Sequence, residues 1–127
     1  MQLLDAAQVK QLIQTVGLPT VLTQMIERLR YDFSRWDVFD KSPRHAVYHP
    51  QGVLELMPCA DDEMYTFKYV NGHPKNTEAG RLCVAAFGML ADQRNGYPLL
   101  MCDMTWLTAI RTACMVALVA EVASPAH

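Results

Sequence analysis

At Arg44 the spacing of apolar residues changes from a helical period to short β-rich runs, which restricts the chain to helices, then strands, then a helix. Upstream, Asp5 followed three positions later by Gln8 reads as a capping box, and Val9, Leu12, Ile13 and Val16 recur at helical spacing until Gly17. Pro19 suits the first turn of a second helix. Its Leu22, Met25, Ile26, Leu29, Phe33 and Trp36 form one apolar stripe opposite Glu27, Arg28, Asp32 and Arg35. Downstream, His45–His49, Val53–Met57 and Met64–Val70 are short, β-branched or aromatic runs separated by Pro50-Gln51-Gly52 and by Pro58 to Asp62, which read as turns. Three strands are expected there.

Leu82–Leu90 and Tyr97–Met101 flank a loop ending in Asn95-Gly96, a favoured hairpin signal. Both arms are apolar on both faces, so the hairpin is expected to be covered on two sides, one of them by a second subunit. A helix from about Thr105 to Ala123, stopped by Ser124-Pro125, closes the chain. The expected fold class is α+β: two amino-terminal helices, a mostly antiparallel sheet of about five to six strands, and a closing helix, with 1–127 as a single domain.

With 51% hydrophobic and 19% charged residues the chain can bury a core, which argues against disorder. A net charge of -2 and a pI near 6.0 offer no basic field to nucleic acid. A small near-neutral ligand or another protein is the expected partner. Cys59, Cys83, Cys102 and Cys114 contain no Cys-x-x-Cys pair, so neither zinc nor a disulfide framework is expected, and reduced thiols suit a cytoplasmic location. The start of the chain has no basic segment followed by an apolar one, and so no secretion signal. The apolar segment Met104 to Ala123 carries Arg111 and Glu121, both costly in a bilayer, and is expected to be a buried helix.

Four charged residues are candidates for chemistry. Lys68 lies within the aromatic run Tyr65 to Val70, where an ammonium must either reach solvent or meet an anion. Glu55, within Val53 to Met57, poses the same choice. Arg111 sits near the start of an apolar helix, where dipole and free amides favour an anion. Arg44, Lys68 and Arg111 together can hold one carboxylate, with Glu55 facing an ammonium; that describes an amino acid, if the four converge. Asn71-Gly72-His73-Pro74 reads as a turn after the Lys68 strand. His45 and His49 share a strand face but lack the further ligands of a metal site, and the methionines of Met101 to Met104 read as core filler. No Gly-x-Gly-x-x-Gly joins a strand to a helix, so no dinucleotide-binding unit is expected.

Several segments resemble a known family. Arg35-Trp36 through Phe39-Asp40-Lys41-Ser42-Pro43-Arg44, Glu55 to Pro58, Phe67 to Thr77, Gly96-Tyr97-Pro98 and Thr108 to Ala113 are similar, in order and spacing, to bacterial ornithine cyclodeaminases of the ornithine cyclodeaminase/mu-crystallin family. The resemblance implies conversion of L-ornithine to L-proline and ammonia. In that reaction NAD takes a hydride from the α-carbon, the δ-amino group attacks the imine, ammonia leaves and the hydride returns.

The same resemblance implies carboxylate binding by Arg44, Lys68 and Arg111, contact of Glu55 with the substrate's amino end, and a part for Lys68 in proton transfer or water activation. Asn71, His73 and Cys83 fall near substrate and cofactor. Cys83 stands where the pattern has a threonine, which exchanges a hydroxyl for a weaker thiol hydrogen bond.

The NAD domain and its acid/base aspartate lie outside the match, so the chain alone is expected to bind no NAD and to complete no turnover. A homodimer whose sheets pair into a barrel-like core is also implied. Competing readings are a non-catalytic dimeric binding or structural protein, a family enzyme acting on another amino acid, and a domain complemented by a separate NAD-binding chain.

Overall fold

The computed structural model describes residues 1–124; Pro125, half of the expected helix stop, lies outside them. The chain begins with β1 (Gln2–Leu4) and α1 (Ala6–Val16). Asp5 and Gln8 form the expected capping box: Gln8 N donates to Asp5 Oδ1 at 2.8 Å and Asp5 N donates to Gln8 Oε1 at 2.9 Å. Gly17, at φ 88°, supplies the left-handed joint to α2 (Leu18–Ser34), and Pro19 lies in its first turn. The helix stops two residues before the apolar stripe ends at Trp36. Arg35 leaves helical geometry, and Trp36–Val38 forms a 3-10 turn with the Trp36 ring stacked on Phe33, centroids 5.4 Å apart.

Five strands then form an antiparallel meander: β2 (His45–His49), β3 (Gly52–Ala60), β4 (Met64–Gly72), β5 (Ala86–Asp92) and β6 (Pro98–Asp103). β1 adds to the β6 edge in parallel, giving a six-stranded mixed sheet ordered β1-β6-β5-β4-β3-β2. α3 (Thr105–Ala123) closes the chain as expected.

Three boundaries differ from the sequence reading. β3 runs through Pro58 because β2 covers β3 only up to Leu56, and the next contact on that side is the Asp40–Ala60 bridge. The nitrogen of Pro58, two residues before Ala60 and therefore on the same side, faces the gap between them, where no donor is required. The turn shrinks to Asp61–Glu63, held by Glu63 N and Met64 N donating to Asp61 Oδ1. β4 absorbs Asn71-Gly72, and Pro74–Ala79 forms a 3-10 turn. Leu82–Ala85 is not strand: here the Asn71 side chain replaces a ladder carbonyl by accepting from Ala85 N.

The two faces of the sheet differ. On one side Gly88 lets α3's amino-terminal end approach: a Cβ there would lie 2.3 Å from Met104 Sδ. On the other, Tyr69 stacks on Phe87 and Phe67 meets the same ring edge-on, while Leu3, Val47 and Phe87 stay exposed. Within this chain, therefore, the β5–β6 hairpin is covered on one face and not two, and the sheet is open, with β1 and β2 as its edges.

The fully buried apolar residues are few: Val9, Val70, Ala86, Ala91, Cys114 and Leu118. α3 is also not the buried helix expected. It is long and apolar enough to cross a membrane, but only Cys114 and Leu118 are buried, and Val122 is 81% exposed. Of its two charged interruptions Glu121 is paired, accepting from Arg30 Nη2 of α2 at 2.5 Å.

Candidate functional site

Strand register assembles the charged residues. Ala46 pairs with Glu55, so Arg44, two residues before Ala46, belongs to the same sheet face. Arg44 Nη1 donates to Glu55 Oε1 at 2.8 Å. Glu55 pairs with Val70, which makes Lys68 its diagonal neighbour on that face, roughly 7–8 Å away by strand geometry and within reach of long side chains. Lys68 itself pairs with Gly88 of β5, beneath Met104 at the head of α3. α3 is fixed there by Met104 N donating to Ala86 O at 2.8 Å and Ala86 N donating to Thr105 Oγ1 at 3.1 Å. Arg111 follows in the second turn of the helix.

The electrostatics of Lys68 register all of these groups. Half-burial holds its ammonium below its ordinary pKa; Arg111 pushes it further down, Glu55 opposes, and Arg44 adds a smaller push downward. Arg44, Glu55 and Lys68 thus share one face of the sheet, and Arg111 lies within the electrostatic field of Lys68. Three cations face one carboxylate, and that carboxylate is bonded to Arg44, which raises the guanidinium pKa. Among the described residues neither Lys68 nor Arg111 has an ion-pair partner.

The amino-terminal end of α3 offers no vacant amide at Thr105, because Thr105 N donates to Asp103 Oδ1 at 3.0 Å and Thr105 Oγ1 donates to Asp103 Oδ2 at 3.1 Å. No side chain caps the helix at Met104.

A cleft of about 300 Å³ opens beside the cluster, with Arg111 at its wall together with Thr66, two residues before Lys68 on the same side of β4, and Phe33, Trp36 and Phe39. Its rim is held by residues without a local sequence signature. Arg35 Nη2 donates to Asp61 Oδ2 at 2.7 Å and its guanidinium lies over the Phe39 ring at 4.7 Å. Lys41 Nζ donates to the carbonyls of Trp36 and Phe39 while sitting over the Trp36 ring. These contacts set the segment that delivers Arg44 to the sheet. A larger cleft of about 660 Å³ between the three helices, lined by Ile13, Leu22, Trp106 and Ile110, holds no acid or base beyond Lys10.

Asn71, His73 and Cys83 form a separate group. Asn71 and His73 lie three and five residues beyond Lys68, roughly 10–17 Å along the strand direction, with Asn71 on the opposite pleat, and Cys83 meets them from the segment before β5. His73 N donates to Cys83 O at 2.9 Å, Asn71 N to Ala85 O at 3.1 Å, and the Asn71 amide lies 3.5 Å from His73 Nδ1. Gly52 makes room for this turn, since a Cβ there would lie 2.7 Å from the His73 ring. Cys83 is exposed and unpaired. Among the described residues no group of three or more His, Cys, Asp or Glu is placed to hold a metal.

The model of the ornithine cyclodeaminase/mu-crystallin family matches residues 7–125. Ornithine cyclodeaminase of Agrobacterium tumefaciens (strain Ach5) is 53% identical over 111 residues, 87% of this chain and 31% of that protein. A solved lysine cyclodeaminase, described with recognition of L-lysine, L-ornithine and L-2,4-diaminobutyric acid, superposes with a TM-score of 0.90 over 98% of this chain and 39% of that one, at 21% identity. Thermococcus litoralis Δ1-pyrroline-2-carboxylate reductase, solved with NADH and L-proline, gives a TM-score of 0.80 over 95% of this chain and 37% of that one, at 25% identity. The chain spans about a third of the length of the curated relatives it matches.

Proposed function

This chain belongs to the ornithine cyclodeaminase/mu-crystallin family, and from that premise we propose that it is the carboxylate-binding domain of an NAD-dependent enzyme converting L-ornithine to L-proline and ammonia. The observation that carries the reading is the half-buried Lys68 beside Arg111, two cations without a carboxylate on a sheet face that also presents Glu55. Lys68 and Arg111 hold the substrate carboxylate, Arg111 through two parallel hydrogen bonds, with Arg44 as a third cation. Glu55 receives an ammonium. Lys68, its ammonium held below the ordinary pKa, is also the group suited to move a proton.

NAD, when bound to such an enzyme, accepts and returns the hydride. The residues described here do not fit it: the only parallel strand pair is β1–β6, and no strand, Gly-rich turn and helix follow one another. No step is therefore assigned through NAD to these residues, whose part is to bind and orient the amino acid. Ornithine is preferred over other amino acids because the 53% identical relative is an ornithine cyclodeaminase.

The test is calorimetry with L-ornithine and L-proline at millimolar concentration, using Arg111→Ala as control. Heat abolished by the substitution is expected; no heat from the unaltered chain removes the proposal.

A second reading rests on the open sheet face, where Leu3, Val47 and Phe87 are exposed around the Tyr69–Phe87 stack. On it, two copies pair through these faces as a homodimer with a barrel-like core, whether or not the pocket binds. Sedimentation should find a dimer at micromolar concentration, and a monomer rejects it. Four free thiols suit a cytoplasmic setting for either reading.

A further inference from the structure

Glu55 has two claims upon it: the amino-acid-binding reading gives it to a ligand ammonium, yet in the ligand-free chain it accepts from Arg44 at 2.8 Å. The partners are unequal. The Glu55 side chain is 19% exposed and set in the middle of β3, whereas that of Arg44 is 60% exposed and precedes β2. The carboxylate is thus the fixed member and the guanidinium the one free to turn. We propose that Glu55 is a placeholder carboxylate that occupies Arg44 until a ligand carboxylate takes that guanidinium, and is released by the exchange to bind the ligand's ammonium.

Charge bookkeeping supports an exchange over simple addition. A ligand with a carboxylate and no amine gains Arg44 but strands Glu55, a half-buried anion left without its partner. A ligand with an amine and no carboxylate must take Glu55 from Arg44 and leaves the three cations uncompensated. Only a molecule carrying both groups leaves neither Glu55 nor Arg44 alone, so the Arg44–Glu55 pair discriminates against molecules carrying one charge. This inference rests on the amino-acid-binding reading and assigns Glu55 a role in selectivity beyond ammonium contact.

The experiment compares pentanoate, 5-aminopentanoate, L-norvaline and L-ornithine by calorimetry on the unaltered chain and on Glu55→Gln, with thermal melts to check folding. Freed of its competitor, Arg44 should bind pentanoate roughly two- to five-fold more tightly in Glu55→Gln, the range expected for a partly exposed ion pair. L-ornithine should bind roughly ten-fold more weakly or worse, because a charged hydrogen bond is lost. Of the two single-amine ligands, the one whose binding falls with Glu55→Gln identifies which amine Glu55 holds.

Pentanoate unchanged or weakened in Glu55→Gln, with L-ornithine still bound by the unaltered chain, overturns the exchange alone. Silence of the unaltered chain toward all four ligands overturns the amino-acid-binding reading and the exchange with it. As an independent readout, the Glu55 carboxyl carbon resonance in the unaltered chain should move when pentanoate is added; a resonance that stays fixed at saturating pentanoate also overturns the exchange.

Discussion

Lys68 stands opposite Gly88 across the β4–β5 ladder, and Met104 Sδ occupies the space that a side chain at Gly88 would need. The absent side chain is what lets the head of α3 settle close to the sheet, bringing Arg111 into the field of Lys68.

Gly88→Ala should therefore be costly. The new methyl would lie 2.3 Å from Met104 Sδ and 3.0 Å from Phe67 O, and the carbonyl cannot retreat without breaking the ladder. The expected loss is about 1–3 kcal/mol, as for other overpacked cores. Urea unfolding of Gly88→Ala, Met104→Ala and the double variant should show non-additivity, with the double variant more stable than the two losses combined.

Leu118→Ala should lose about 2–5 kcal/mol, because Leu118 is one of two buried residues of α3. Val122→Ala on the same helix, at an 81% exposed position, should change stability by no more than about 0.5 kcal/mol. Equal losses at the two positions would mean that the Val122 face of α3 is covered in solution.

Carboxylate binding should take up protons. Burial and Arg111 hold the Lys68 pKa below its ordinary 10.5, and a bound anion raises it again. Between the lowered and the restored values, binding adds a proton to Lys68. Calorimetry of L-proline in buffers of different ionisation enthalpy should thus show a buffer-dependent heat that grows from neutral toward alkaline pH and is lost in Lys68→Met.

The acid limb of stability should depend on Asp61. Hydrogen bonds from Met64 N, Arg35 and Glu63 N, in decreasing order, hold its carboxyl below the ordinary 3.8. A carboxyl lowered on folding stabilises above its unfolded pKa, and that stabilisation fades as pH falls through the folded value. Asp61→Asn should lower the melting temperature at neutral pH and flatten its fall below about pH 4. Parallel melting curves for the two proteins would rule out this contribution.

Local chemistry made most elements legible. The Asp5–Gln8 box, Gly17 and Pro19 mark helix ends by hydrogen bonds within a few residues, and the runs after Arg44 declare strands by composition. What escaped depends on distant partners. β1 has only three residues and is a strand because β6 lies beside it, and Pro58 remains in β3 because β2 has already stopped. Leu82–Ala85 has the composition of a strand, but the Asn71 side chain intercepts its ladder.

The site followed the same rule. Arg44, Glu55, Lys68 and Arg111 each stood out as charges among apolar neighbours, but the shared face of the first three is a property of register, and Arg111 is positioned by the seating of α3 over Gly88. A slip of one residue would send Lys68 to the opposite face. The Arg35–Asp61 pair, 26 positions apart, left no local trace.

Gln2 pairs with Leu100, so the outermost strand of the sheet joins residues from the start of the chain to residues near its far end. During translation β1 has no partner until β6 has left the ribosome, so it waits while α1, α2 and four other strands emerge. A bulky group placed directly before β1 would therefore burden the last step of sheet assembly.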